Sequence, residues 1–171
     1  MPEVANAVTM KGNPLTLLGN EVKVGSKAPD CRLVANDLSE VKLSAFFGKK
    51  LIISAVPSLD TGICDLQTKR FNKEAAKLGN DALVLTVSVD LPFAQKRWCA
   101  ATSSDKVKVL SDYRYASFGE AYGILIKGLR LLARAIFIVD KKGTVQYKQL
   151  VEEITTEPDY EDVLNAFKKN S

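Results

Sequence analysis

Two largely apolar runs, residues 51–56 and 83–89, set the frame of this chain. Each is too short for a buried helix and rich in Val, Ile and Leu, the pattern of a strand covered on both faces. Between them the period changes. Cys64, Thr68, Phe71, Ala75 and Leu78 recur at alternating spacings of four and three, one stripe of a helix over 64–78. Gly79-Asn80-Asp81 ends that helix. Asp90-Leu91-Pro92 opens another, with proline in the tolerated first turn, and it carries Phe93, Trp98 and Cys99. A short strand follows at 107–110 and a short helix at 116–122, closed by Gly123. A strand at 135–139 turns through Lys141-Lys142-Gly143 into a strand at 145–151. Pro158 opens a last helix with Tyr160, Val163, Leu164 and Phe167 on one face. Upstream, 8–10 and 15–18 read as a hairpin about the turn Lys11-Gly12-Asn13-Pro14. A second turn at Gly19-Asn20 leads to 22–24, a loop covers 25–30, and a short strand covers 31–34.

Strands separated by helices imply right-handed crossovers and a largely parallel sheet, while the last two strands, joined by a tight turn, must run antiparallel. The expected fold is α/β: a mixed central sheet with helices on both faces and an N-terminal hairpin extension over 1–24. A thioredoxin-like architecture is the closest simple solution. The length of 171 residues suits one domain over 1–171.

Composition narrows the chemistry. No apolar run approaches the roughly 20 residues of a membrane span. The start, Met1-Pro2-Glu3-Val4, shows no leader pattern, and three cysteines fit a reducing compartment, so a cytoplasmic location is expected. The net charge of +4 is spread among acidic residues. The densest basic cluster, Lys69, Arg70 and Lys73, shares its helix with Asp65 and Glu74 and reads as a solvated face, so nucleic-acid binding is unsupported. The chain has no histidine, which removes Ser-His-Asp triads, Cys-His dyads, His-bearing zinc sites and His-ligated haem.

The candidate chemistry sits where the first buried strand ends, in Pro57-Ser58-Leu59-Asp60-Thr61-Gly62-Ile63-Cys64. A proline-led loop delivers a cysteine to a helix start, where free N–H groups and the helix dipole favour thiolate. Cys64 shares its stripe with core residues, and desolvation there opposes ionisation. A reactive thiolate at this position therefore needs the helix end and a nearby cation together. Read alone, Cys64 is equally a small buried hydrophobe and Thr61 a helix cap.

Pro57-x-x-x-Thr61-x-x-Cys64 resembles the peroxidatic signature of the peroxiredoxins. Asp60-Thr61-Gly62-Ile63-Cys64, Asp90-Leu91-Pro92-Phe93-Ala94-Gln95, Leu132-Ala133-Arg134-Ala135 and residues 152–160 (Glu-Glu-Ile-Thr-Thr-Glu-Pro-Asp-Tyr) resemble its bacterial thiol peroxidase branch, of the atypical two-cysteine type. The resemblance implies that Cys64 is the peroxidatic cysteine and Cys99 the resolving one, closing an intramolecular disulfide. It implies that Thr61 and the Cys64 N–H donate to peroxide oxygen, that Arg134 supports the thiolate from just before a strand parallel to its neighbour, and that Pro57 shields the sulfur. It further implies hydrogen peroxide and organic, preferably alkyl, hydroperoxides as substrates, thioredoxin as reductant, no cofactor or metal, and a homodimer through the active-site face. Arg130 competes with Arg134 for the cation's place; the motif favours Arg134. Cys31 matches no family role and reads as a core thiol.

Two other readings share parts of this pattern. A thioredoxin-class disulfide oxidoreductase wants two cysteines two residues apart, which this chain lacks. A non-catalytic redox sensor would use the same thiol without turnover. Zinc binding by three widely spaced cysteines is a distant fourth.

Overall fold

The structure is a computed structural model that describes residues 1–75, 77–102 and 107–169. Its elements in chain order are β1 (Glu3–Met10), β2 (Asn13–Leu18), β3 (Arg32–Val34), β4 (Glu40–Lys42), a 3-10 turn at Leu43–Phe46, β5 (Lys50–Ala55), α1 (Gly62–Ala75), β6 (Ala82–Ser88), α2 (Pro92–Thr102), β7 (Val107–Ser111), α3 (Ser117–Ala121), β8 (Leu125–Ile126), β9 (Ala135–Val139), β10 (Val145–Leu150) and α4 (Tyr160–Lys169). A mixed central sheet runs β10-β9-β5-β6-β7-β3-β4, and a small sheet joins the hairpin to β8 in the order β1-β2-β8. The α/β, thioredoxin-like expectation holds.

β5, β6 and β7 are parallel, with α1 and α2 as the crossovers, as the two apolar runs require. Alternation along each strand then sorts the core into two layers. Leu51, Ile53, Leu83, Leu85, Val87, Phe137 and Val139 point to the layer that holds Phe118, Tyr122 and the hairpin's Val8 and Leu17. Ile52, Val84, Ile136 and Ile138 point to the layer under Cys64, Phe71, Val163 and Phe167. Each fully buried aliphatic side chain contributes roughly 1.5–3 kcal/mol. Among the described residues no helix is long and apolar enough to cross a membrane.

The structure corrects two sequence expectations and adds two short strands. β9 runs antiparallel to β5, with Ala55 opposite Ala135, so Arg134 does not precede a strand parallel to its neighbour. The hairpin loop is two residues, Lys11 and Gly12, both with positive φ (50° and 80°), and Asn13 and Pro14 belong to β2. After the second turn, Val22 packs into the core while Val24 is exposed. β4 and β8 were not anticipated, because two or three residues carry no period to read.

Candidate active site

β5 ends at Ala55, and the chain then loops through Pro57 to α1. Thr61 is the N-cap. Its carbonyl accepts the first helical bond, from Asp65 N–H (3.0 Å), and its hydroxyl oxygen accepts from Cys64 N–H (3.2 Å). The hydroxyl itself donates to the Ser58 carbonyl (3.2 Å). Thr61 is thus the helix cap that its residue type permits, and both donors expected to meet peroxide oxygen are occupied within the loop in this arrangement. Cys64 stands in the first turn of α1 with no exposed surface.

The antiparallel pairing of β9 decides where Arg134 lies. The start of β9 is beside the end of β5, so the residue before Ala135 reaches the loop that leaves Ala55. A parallel strand would have put it beside the opposite end of β5. Arg134 is 2 % exposed. Its Nη2 donates to Cys64 Sγ at 3.2 Å and to the Ile154 carbonyl at 2.7 Å, Nε donates to the same carbonyl at 3.0 Å, and Nη1 donates to Gln67 Oε1 at 2.7 Å. Gln67 is itself fixed, its Nε2 donating to Ser54 Oγ at 2.6 Å. A buried guanidinium is costly unless its charge is answered. Among the described residues Arg134 forms no ion pair with a carboxylate; its donors go to Cys64 Sγ, Gln67 and the Ile154 carbonyl.

The Ile154 carbonyl is held by the N-terminal hairpin. Thr9 N–H donates to Glu152 O (2.7 Å) and Ile154 N–H to Thr9 O (2.9 Å). The Glu153 carboxylate accepts from Gly12 N–H and the hydroxyls of Thr9 and Thr155, and these bonds, Thr155 first, hold it down at about 2. A groove of about 550 Å³ opens above, lined by Met10, Pro57, Thr61, Ile63, Leu66, Arg134 and Ile154 among others; Cys64 itself lies beneath the lining.

The Redoxin family pattern matches residues 23–164. A thiol peroxidase of Halalkalibacterium halodurans is 57% identical over 162 residues, covering 95% of this chain and 97% of that protein. The chain belongs to the peroxiredoxin family, in its thiol peroxidase branch. It is a thiol-dependent peroxidase. A Bacillus subtilis thiol peroxidase is 56% identical over 161 residues, covering 94% of this chain and 96% of its own. Among solved structures, a peroxiredoxin-like protein from Aquifex aeolicus superposes with a TM-score of 0.90 at 46% identity over 98% of each chain. A thiol peroxidase from Chromobacterium violaceum, at 20% identity, shares the fold with a TM-score of 0.84 over 95% of each chain.

This peroxiredoxin carries three free thiols, on two sides of its sheet. Cys99, half-buried on α2, packs against the same core layer as Cys64. Burial pushes its thiol up, against an opposing hydrogen bond from Asn36. Cys31 lies in the opposite layer, and burial, with Asp112 and Asp30 nearby, pushes its thiol far up. The structure therefore brings Cys64, Thr61, Pro57 and Arg134 together, sets Cys99 on the same face of the sheet, and leaves Arg130 exposed. Sequence reading missed Gln67, Ser54 and the Ile154 carbonyl. Only Gln67 left a signal: three residues after Cys64, it is a polar side chain on the apolar face of the peroxiredoxin's first helix.

Proposed function

We propose that Cys64 is the sulfur that meets the hydroperoxide and that Cys99 resolves it. The observation that carries this reading is the Arg134 Nη2 contact with Cys64 Sγ. The Cys64 thiolate attacks the terminal oxygen of ROOH, the O–O bond breaks, and the alkoxide leaves to be protonated as ROH. Sulfur is oxidised to sulfenic acid and the peroxide reduced. Arg134, joined by Thr61 Oγ and the Cys64 N–H once peroxide displaces their present partners, supports the charge that develops on oxygen. The Cys99 thiolate then attacks the sulfenic sulfur. Hydroxide leaves as water, and a Cys64–Cys99 disulfide remains. Thioredoxin returns both thiols by exchange. Cys31, across the sheet, is a poor competitor for the resolving role.

The apolar groove lining of Met10, Pro57, Ile63, Leu66 and Ile154 supports a preference for alkyl hydroperoxides. Exposed Leu66, Leu91, Phe93 and Met10 around the site support a homodimer through this face. We read residues 1–171 as one catalytic domain, with 1–24 as its hairpin extension, working in a reducing cytoplasm. The test is peptide mapping after one equivalent of hydroperoxide, beside turnover assays with thioredoxin. A Cys64–Cys99 bond, loss of turnover in Cys64→Ser, and loss of thioredoxin-linked cycling in Cys99→Ser are expected. Cycling by Cys99→Ser at the wild-type rate would remove the resolving role.

A further inference from the structure

The first turn of α1 and the second half of α2 are joined at the residues that flank the two cysteines. Trp98 Nε1–H donates to Asp65 Oδ1 at 2.8 Å. Asp65 directly follows Cys64, and Trp98 directly precedes Cys99. The other carboxylate oxygen of Asp65 pairs with Lys69 at 2.7 Å. Burial alone would raise this carboxyl, but Lys69 and Trp98 outweigh it and keep the group below its usual range, so the bond to the indole is charge-assisted. Trp98 packs against the core layer that holds Cys64, and the bond is part-buried.

The two thiols do not face one another across this contact. Cys64 lies beneath the groove that Arg134, Thr61 and Pro57 line. Cys99 lines a separate cavity with Asn36 and Val107, and the two hollows share no lining residue. A disulfide requires Cα atoms within about 7 Å and converging Cβ vectors. Turning Cys64 and Cys99 toward each other rotates their immediate neighbours, Asp65 and Trp98, out of their bond. A second tie lies upstream of both cysteines, where Ser58 Oγ–H (2.7 Å) and Leu59 N–H (2.8 Å) donate to Asp90. That tie joins the loops before the helices and leaves the helix interiors free to turn about it.

We propose that the Trp98–Asp65 hydrogen bond is a clasp that holds the cysteine-bearing helices in their reduced packing and sets the rate at which Cys99 reaches oxidised Cys64. This rests on Cys99 being the resolving cysteine. Trp98 and Asp65 are positioning residues and touch no reacting atom.

The test is rapid-quench mass spectrometry of the full chain after one equivalent of hydrogen peroxide. Dimedone tagging of Cys64 times the first step, and the disulfide times the second. In Trp98→Phe the first step is expected to stay within about twofold of wild type, while the disulfide forms about tenfold faster. Asp65→Ala is expected to speed the second step likewise, and Asp65→Asn, which keeps an acceptor oxygen, to lie between. A second-step rate within about twofold of wild type in Trp98→Phe, with the bond still mapping to Cys64–Cys99, overturns the clasp. A bond mapping to Cys31 instead removes the resolving role of Cys99, and the peptide masses tell the two failures apart. The unmodified protein gives a second readout, since Trp98 is its sole tryptophan. Its emission is expected to change during disulfide formation and not in that phase of Cys99→Ser; no change overturns the clasp.

Discussion

Arg134 Nη2 lies 3.2 Å from Cys64 Sγ, and the rest of the guanidinium is pinned by the Ile154 carbonyl and Gln67. One planar group therefore ties α1 to the loop after β10, and lysine cannot reproduce its fork. Arg134→Lys keeps the charge but loses the simultaneous contacts. Peroxide consumption by this variant is expected to slow about 10- to 100-fold, the worth of one charge-assisted hydrogen bond. Stopped-flow kinetics with saturating thioredoxin measure it; a rate equal to wild type would show that the fork is dispensable.

Gln67 gives a sharper test of the same field. A neutral amide holds Nη1 at 2.7 Å and is held in turn by Ser54. Gln67→Glu would keep the geometry and introduce a carboxylate that competes with the sulfur for the guanidinium's charge. Its reaction with peroxide, and its alkylation by iodoacetamide at neutral pH, are both expected to fall about tenfold or more. Gln67→Ala is expected to lose a similar factor through a loosened Arg134, with a stability cost of about 1–3 kcal/mol for the orphaned Nη1. Wild-type alkylation by Gln67→Glu would mean that the field at the sulfur does not come from Arg134.

The central strands and the first helix were legible because their signals are local. The runs at 51–56 and 83–89 and the stripe from Cys64 to Ala75 name their own partners. The reach of Arg134 was legible only as a motif, and its expected parallel strand was wrong in direction. Strand sense is set by which edge of the sheet is free, and no residue of 135–139 records that. The Ile154 carbonyl left no trace, since any residue supplies one; its place depends on Thr9 and Gly12, more than 140 positions upstream. Gln67 was overlooked because a polar side chain on an apolar stripe reads as noise until its partner is in view.

Cys31 is separated from the other thiols by the central sheet. Cys31→Ala is expected to leave turnover and the Cys64–Cys99 bond unchanged and to cost about 1–2 kcal/mol of stability. Thioredoxin-coupled assays and urea denaturation check both parts. Loss of cycling would bring Cys31 into the redox chemistry.

Asp112 links pH to stability on the far side of the sheet. Its carboxylate accepts Phe118 N–H and Gly119 N–H at 2.9 and 2.8 Å, yet burial dominates and pushes it up to about 6. A carboxyl raised on folding favours the native state most when protonated. That contribution is complete below about 4 and is lost as pH rises through about 6, a swing on the order of 3 kcal/mol. The stability difference between wild type and Asp112→Asn, measured by urea denaturation, is therefore expected to shift toward wild type between pH 7 and pH 4. A difference flat over that range would contradict the buried titration.

The most direct measurement is dimedone trapping in Cys99→Ser after one equivalent of hydroperoxide. With no resolving thiol the oxidised sulfur persists, and one tag per chain, on Cys64, is expected as the peroxide disappears. A tag on Cys31, or unconsumed peroxide with Cys64 untouched, would contradict the assignment of the reacting sulfur.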